Sequence, residues 1–115
     1  AVYKDIHRNP ELSCQEERTA QIATGSLRAL GFSVHDGIGG TGVAGILDNG
    51  LGCTVLLRAE LDALPIPEKT NLPYRSTTRM VDTDGEEKPV MHACGHDLHI
   101  AALLAAAELL AAAKH

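Results

Sequence analysis

The stretch "HACGHDLH", residues 92–99, places three imidazoles, a thiol and a carboxylate within eight positions. His92, Cys94, His96 and His99 carry the donors that zinc and its transition-metal neighbours accept. Cys94 and His96 stand two apart, which on a helix points them to different sides, so both reach one ion only from a turn or an extended segment. Gly95 between them can supply that turn. A helix beginning just after it would favour an anion at its N-terminus and so a thiolate at Cys94. Asp97 is placed to cap the helix or to hold an imidazole from behind. The plainer alternative is a polar loop capping a helix, with Cys94 buried as a small apolar residue. A redox cysteine fits less well, because no resolving cysteine lies nearby in sequence.

A second cluster lies in "RAELDALP", residues 58–65, where Glu60 and Asp62 are two apart at the end of an apolar run. Alternate side chains of an extended segment share a face, so both carboxylates should leave the chain in one direction. Ligands of open α/β sheets gather at such strand ends. The competing reading pairs one acid with Arg58 or a helix terminus and leaves the other solvated. "GIGGTG", residues 37–42, satisfies the G-x-G-x-x-G pattern of dinucleotide-binding folds, with an acid at Glu60 or Asp62. That motif needs a helix directly after the glycines, whereas "VAGIL" and an Asn-Gly pair follow, so a glycine turn between strands is expected instead.

Several elements must position these groups. Ser13-Cys14-Gln15-Glu16 has the S-x-x-E form of a capping box, and Ala20, Ala23, Leu27 and Leu30 recur at helical spacing before Gly31, which predicts a helix over about 15–30. The residues up to Arg8 read as the end of another helix, stopped before Pro10. Residues 32–35, 43–47 and 54–59 are β-favouring, and Asn49-Gly50 marks a hairpin between the last two. The run "TVLLRA" is apolar enough for a strand covered on both faces. Residues 65–89, with four scattered prolines, read as a long excursion over a site, carrying one edge strand. A last helix begins near Asp97 as N-cap, with Ile100, Leu103, Leu104, Ala107 and Leu110 on one stripe and alanines filling most of the rest. A helix so apolar is normally enclosed on every side, which implies a larger protein or a partner that covers it.

Composition narrows the function. With 115 residues and 44% hydrophobic content the chain has the makings of one folded α/β domain. A formal charge of −5 and only three aromatic residues remove the basic patch and stacking surface that nucleic-acid binding needs. Three widely spaced cysteines without C-x-x-C spacing argue against a disulfide framework and for a reducing, cytoplasmic setting. The apolar stretch 100–107, broken by Glu108, is too short to span a membrane. A small non-catalytic metal-binding module that docks on another protein through the alanine-rich helix is compatible with all of this.

Four blocks in order, "DIHRNPELSCQEERTA" (5–20), "GIGGTGVAGIL" (37–47), "LLRAELDALPIPEKTNLPY" (56–74) and "MHACGHDLHIAALLAAAELL" (91–110), resemble the N-terminal part of the metal-dependent amidohydrolases that include hippurate hydrolase, N-acyl-amino-acid amidohydrolases and auxin-conjugate hydrolases. The resemblance implies that residues 1–115 are the front part of a zinc-exopeptidase-like catalytic domain, a three-layer α/β/α sandwich with a mixed sheet. It implies hydrolysis of N-acyl amino acids by a metal-activated water and a site for two divalent ions, with zinc, manganese, nickel or cobalt all admissible. It also allows a homodimer of the full-length protein. Cys94 and His96 fall on the family's cysteine and first histidine ligands. The remaining ligands and the general-base glutamate fall beyond this chain, so the chain alone is expected to be inactive. Asp62 matches an aspartate that in the wider clan orients a histidine ligand at the position occupied here by Glu60. Amidohydrolase relatives usually carry aspartate there, so the job of Glu60 stays open.

Overall fold

The computed structural model describes residues 1–114. Its elements are α1 (Val2–Arg8), α2 (Glu17–Ala29), β1 (Ser33–Ile38), β2 (Gly42–Ile46), β3 (Arg79–Val81), β4 (Glu87–Pro89) and α3 (His96–Ala112). Helices and antiparallel ladders pack into an α/β arrangement, as the sequence implies. Helix α1 does stop at Arg8, ahead of Pro10, with the Asn9 amide turned back to the Ile6 carbonyl.

Helix α2 starts at Glu17, and the capping box does not form. The Glu16 carboxylate accepts instead from the Cys14 amide at 2.9 Å and from the Thr41 hydroxyl at 2.6 Å. The free amides of the first turn are taken by Glu11, whose two oxygens accept from Arg18 N–H at 2.8 Å and Thr19 N–H at 2.7 Å. A full negative charge on these donors, at the positive end of the helix, is a stronger partner than a serine hydroxyl, and it came from farther along the chain than a local motif can show. At the other end Gly31, at φ 85°, closes the helix as expected. Its amide bonds to Arg28 O and the Phe32 amide to Leu27 O, which satisfies two terminal carbonyls.

Strands β1 and β2 pair antiparallel through the glycine segment, where Gly39 and Gly40 take positive φ. "GIGGTG" is therefore a hairpin turn. Leu27 of α2 lies against β2 at Gly45, where a Cβ would come within 3.0 Å of Leu27 Cδ1. The expected hairpin at Asn49-Gly50 is absent. Asp48 Oδ1 accepts from the Gly50 amide in a local side-chain turn, and residues 54–59 run unpaired with Val55 and Leu56 exposed. Such an apolar strand needs neighbours on both edges and cover on both faces, and the described residues supply neither. The excursion 65–89 holds two strands where one edge strand was expected. β3 and β4 form a hairpin around Asp84-Gly85, with Asp82 Oδ1 accepting from the Asp84 and Glu86 amides.

Helix α3 begins one residue before Asp97, on Gly95 at φ 79°. Asp97 is inside the first turn and buried, not its N-cap. Ile100, Leu104 and Ala107 join Ile6 of α1 and Leu27 of α2 in the main core, with Leu103 at its margin. Leu98, Leu109 and Leu110 are exposed, so the expected stripe is covered only in part among the described residues. No helix among them is long and apolar enough to cross a membrane. A second core of Leu12, Ala63 and Val90, with Met80 against it, ties the excursion down. Two short bridges hold the segment after residue 60 in place. Ala63 pairs parallel with Leu12, and Leu64 pairs antiparallel with Met91 through reciprocal bonds of 2.9 and 3.0 Å.

Candidate metal centre

The Leu64–Met91 bridge brings "ELD" beside the start of α3, and there both acids of that segment converge on His96. Nδ1 lies 2.9 Å from the Asp62 carbonyl oxygen and 3.1 Å from Asp62 Oδ1. Nε2 lies 3.0 Å from Glu60 Oε2. The expectation that the two carboxylates share a face is met by their reaching opposite nitrogens of one imidazole. One half of the plainer alternative also holds, because Glu60 Oε1 accepts from Arg58 at 2.9 Å, whereas the other acid, Asp62, is held by His96 and not left to solvent.

Both partners of Nδ1 can only accept, so Nδ1 carries a hydrogen and the direction of Nε2 is set. A carboxylate that fixes the tautomer and the aim of a histidine in this way is the usual support behind a metal-bound imidazole. Cys94 is exposed, which removes the alternative of a buried small apolar residue. The His99 ring lies 6.1 Å from that of His96, centre to centre. No three His, Cys, Asp or Glu side chains among the described residues come close enough together to hold an ion by themselves. The donors present, an oriented imidazole nitrogen with a carboxylate oxygen facing it, nonetheless fit a divalent ion.

His92 is only 4% exposed, and neither ring nitrogen has a hydrogen-bond partner among the described residues. Burial drives its pKa down, which the nearby charge of Asp97 opposes and His7 and His96 reinforce. The neutral ring is therefore the favoured form.

Asp97 holds a histidine, though not one of the cluster. Its Oδ2 accepts from His7 Nδ1 at 2.6 Å, while Glu68 Oε1 accepts from His7 Nε2 at 3.0 Å. His7, Asp97 and the Glu68 side chain are all buried. Burial alone would lower the His7 pKa, but the bonds to Glu68 and Asp97 outweigh it and raise it above the usual histidine value. Burial likewise pushes Glu68 up, and Thr70, His7 and the Ser76 amide together bring it below the usual carboxylate value. Sequence reasoning missed this clamp. Its parts are 61 and 90 residues apart, and the one local signal was a histidine next to Ile6 on a helix face that turns inward.

Known proteins share both the sequence and the fold. Residues 56–115 match peptidase family M20/M25/M40. The chain is 46% identical over 107 residues to the hippurate hydrolase of Campylobacter jejuni, covering 92% of this chain and 26% of that protein. It is 44% identical over 111 residues to thermostable carboxypeptidase 2 of Saccharolobus solfataricus, covering 95% and 26%. Among solved structures, the YXEP protein of Bacillus subtilis, described as a dinuclear metal binding peptidase from the M20 family, superposes with a TM-score of 0.83 at 36% identity. That superposition covers 98% of this chain and 30% of that one. The chain thus spans about a quarter of the length of the curated relatives it matches.

Proposed function

Because the chain belongs to peptidase family M20/M25/M40, we propose that a protein carrying it hydrolyses the amide bond of small N-acyl amino acids at a divalent metal centre. In this reading Cys94 and His96 are metal ligands and Asp62 is the positioning residue behind His96. The observation that carries it is the Asp62–His96 pair, which holds the ring by Nδ1 and fixes the direction in which Nε2 points.

A divalent ion bound there makes water acidic enough to give hydroxide near neutral pH and polarises a carbonyl oxygen. The residues of this chain contribute placement. Asp62 keeps the proton on Nδ1 through two acceptor contacts, so rotation or tautomer exchange of the ring would break both. Gly95, left-handed between Cys94 and His96, turns the backbone so that the thiol precedes α3 and the imidazole belongs to its first turn. The general base and the groups that read the acyl and amino-acid parts belong to regions of the protein outside these residues. We assign zinc, manganese, nickel and cobalt as the candidate ions and two as their number, in keeping with the dinuclear description of the structural neighbour.

The test is an assay of the full-length protein against N-benzoyl and N-acetyl amino acids, before and after removal of metal with a chelator. Activity should vanish on chelation and return with manganese or zinc, and Cys94→Ser and His96→Ala should abolish it. Amide hydrolysis that survives exhaustive chelation would refute the reading.

A further inference from the structure

We propose that His7 is a positioning residue for the metal centre, acting through Asp97 on the first turn of α3 and thereby on His96. This inference rests on the proposed metal centre and adds to it a group from α1, outside both donor clusters.

The start of α3 is weakly held by its own residues. Gly95 stands at the N-cap with no side chain to offer. Among the described residues, the one side-chain acceptor on the leading amides is Asp97 Oδ1, which takes the Leu98 N–H at 2.9 Å. Uncapped helix ends are loosely held, because their first amides lack partners within the helix. A ligand in such a turn swings unless something outside the helix holds the turn. His7 supplies that hold. Its Nδ1 donates at 2.6 Å to Asp97 Oδ2, the other oxygen of the same carboxylate. One side chain thus ties down the turn and fastens it to α1.

His7 is itself immobilised. Its Nε2 donates to Glu68 Oε1 at 3.0 Å, and Glu68 accepts in turn from the Thr70 hydroxyl and the Ser76 amide, each at 2.5 Å. Ile6, the residue before it, is fully buried in the core that also holds Ile100 of α3. Three parts of the chain, α1, α3 and the excursion 65–89, therefore meet at one imidazole. A movement of the turn that carried Asp97 away from His7 would carry His96 with it and draw Nδ1 away from Asp62.

Stability alone does not call for such a group. Burying an imidazole between two carboxylates is costly, and apolar side chains of similar volume often stabilise as well or better. Apolar contact is not directional, whereas a hydrogen bond weakens steeply as its angle closes. What the clamp adds is direction, in a turn whose outward side carries a ligand.

The test compares two variants of the full-length protein in zinc competition with a fluorescent chelator, with the visible d–d absorption of the cobalt-loaded form as a second reading. His7→Leu removes the clamp. Leu104→Ala truncates the core side of the same helix about two turns further on and lowers the urea midpoint without touching the clamp. If His7 positions the ligand, His7→Leu weakens zinc binding by about 10-fold or more, the scale on which groups supporting a ligand act, and alters the cobalt spectrum. Leu104→Ala keeps wild-type affinity and spectrum. The double variant His7→Leu/Asp97→Asn, which removes the stranded charge, binds zinc as weakly as His7→Leu although its stability recovers in part, and it carries the comparison where the single variant does not fold. Equal losses in His7→Leu and Leu104→Ala, or affinity that returns with stability in the double variant, give His7 a structural role only and overturn the proposal. Wild-type affinity and spectrum without the clamp also overturn it, and in each of these cases the metal centre stands. A wild-type protein that binds no divalent ion overturns both readings.

Discussion

Replacing His7 by leucine tests the buried clamp. The imidazole sits between Asp97 at 2.6 Å and Glu68 at 3.0 Å, and because carboxylates only accept, both ring nitrogens must donate. The group is an imidazolium, enclosed by the rings of Tyr3 and Tyr74 at 5.8 and 5.4 Å. Leucine fills much of the same space and strands two buried anions. They are not stranded equally. Glu68 keeps the Thr70 hydroxyl and the Ser76 amide, whereas Asp97, 2% exposed, keeps only the Leu98 amide among the described residues. Removing one partner of a buried ion pair costs about 3–5 kcal/mol, and most of that penalty here belongs to Asp97. Against a total stability of about 5–15 kcal/mol, this is enough to unfold a marginal domain. Urea unfolding should show the loss, and adding Asp97→Asn to His7→Leu should recover about half of it by removing the stranded charge. A loss under about 1 kcal/mol, the value of an exposed pair, would refute the reasoning, as would failure of the second change to restore stability.

The same clamp fixes a pH dependence. His7 has its pKa raised on folding, so its contribution is complete below the ordinary value of 6.5 and is lost as pH rises through the folded value. Glu68 has its pKa lowered, so its contribution is present above the ordinary 4.5 and disappears as pH falls through the folded value. The pair therefore stabilises most between those two ordinary values and weakens on either side. The decline as pH rises above the ordinary histidine value of 6.5, read as a falling urea midpoint, should be absent in His7→Leu. Asp62→Asn should weaken metal binding by about 10–100-fold in a chelator competition, because the amide removes the negative charge that makes the His96 ring a more basic donor while the Asp62 carbonyl still holds Nδ1–H, and the fold, read by far-ultraviolet circular dichroism, stays intact. Glu11→Ala should cost about 1–2 kcal/mol in urea unfolding, the value of a lost helix cap, and Glu11→Gln should cost less because one acceptor oxygen remains for the Arg18 or Thr19 amide.

What could be read from the sequence was whatever depends on neighbours along the chain. Gly31 closes α2 because the need for a left-handed residue after a helix is local. The "GIGGTG" turn was legible for the same reason, since the residues after it cannot start a helix. The failures have the opposite character. Ser13-x-x-Glu16 is a sound local cap, but Glu11 reaches the same amides with a full charge, and Glu16 is drawn away to Thr41. Asn49-Gly50 is a sound hairpin signal, yet a turn cannot make a hairpin when the strand after it has nothing among the described residues to pair with. The Asp84-Gly85 pair of the β3–β4 hairpin carried the same signal inside a segment whose prolines directed attention to loops.

The site divides along the same line, and the reason lies in the first turn of α3. Residue types named His96 and Cys94 from sequence, and the two-residue spacing put Glu60 and Asp62 on one face. Nothing local could say that 34 residues separate a histidine from its support. Consecutive positions on a helix are turned by about 100°, so His96 and Asp97 cannot face the same way. His96 looks out to Glu60 and Asp62, and Asp97 looks in to His7. Because Asp97 is held by a buried charge, the turn that carries it cannot rotate without breaking a 2.6 Å ion pair, and the direction of His96 is fixed by its neighbour in the core. The Leu64–Met91 bridge fixes the other side, setting the height at which Asp62 meets the ring. The His96 ring is thus aimed by two contacts made on opposite sides of the same turn, one polar and buried, one through the backbone. A sequence can display the donors, but the aim exists only once both are closed.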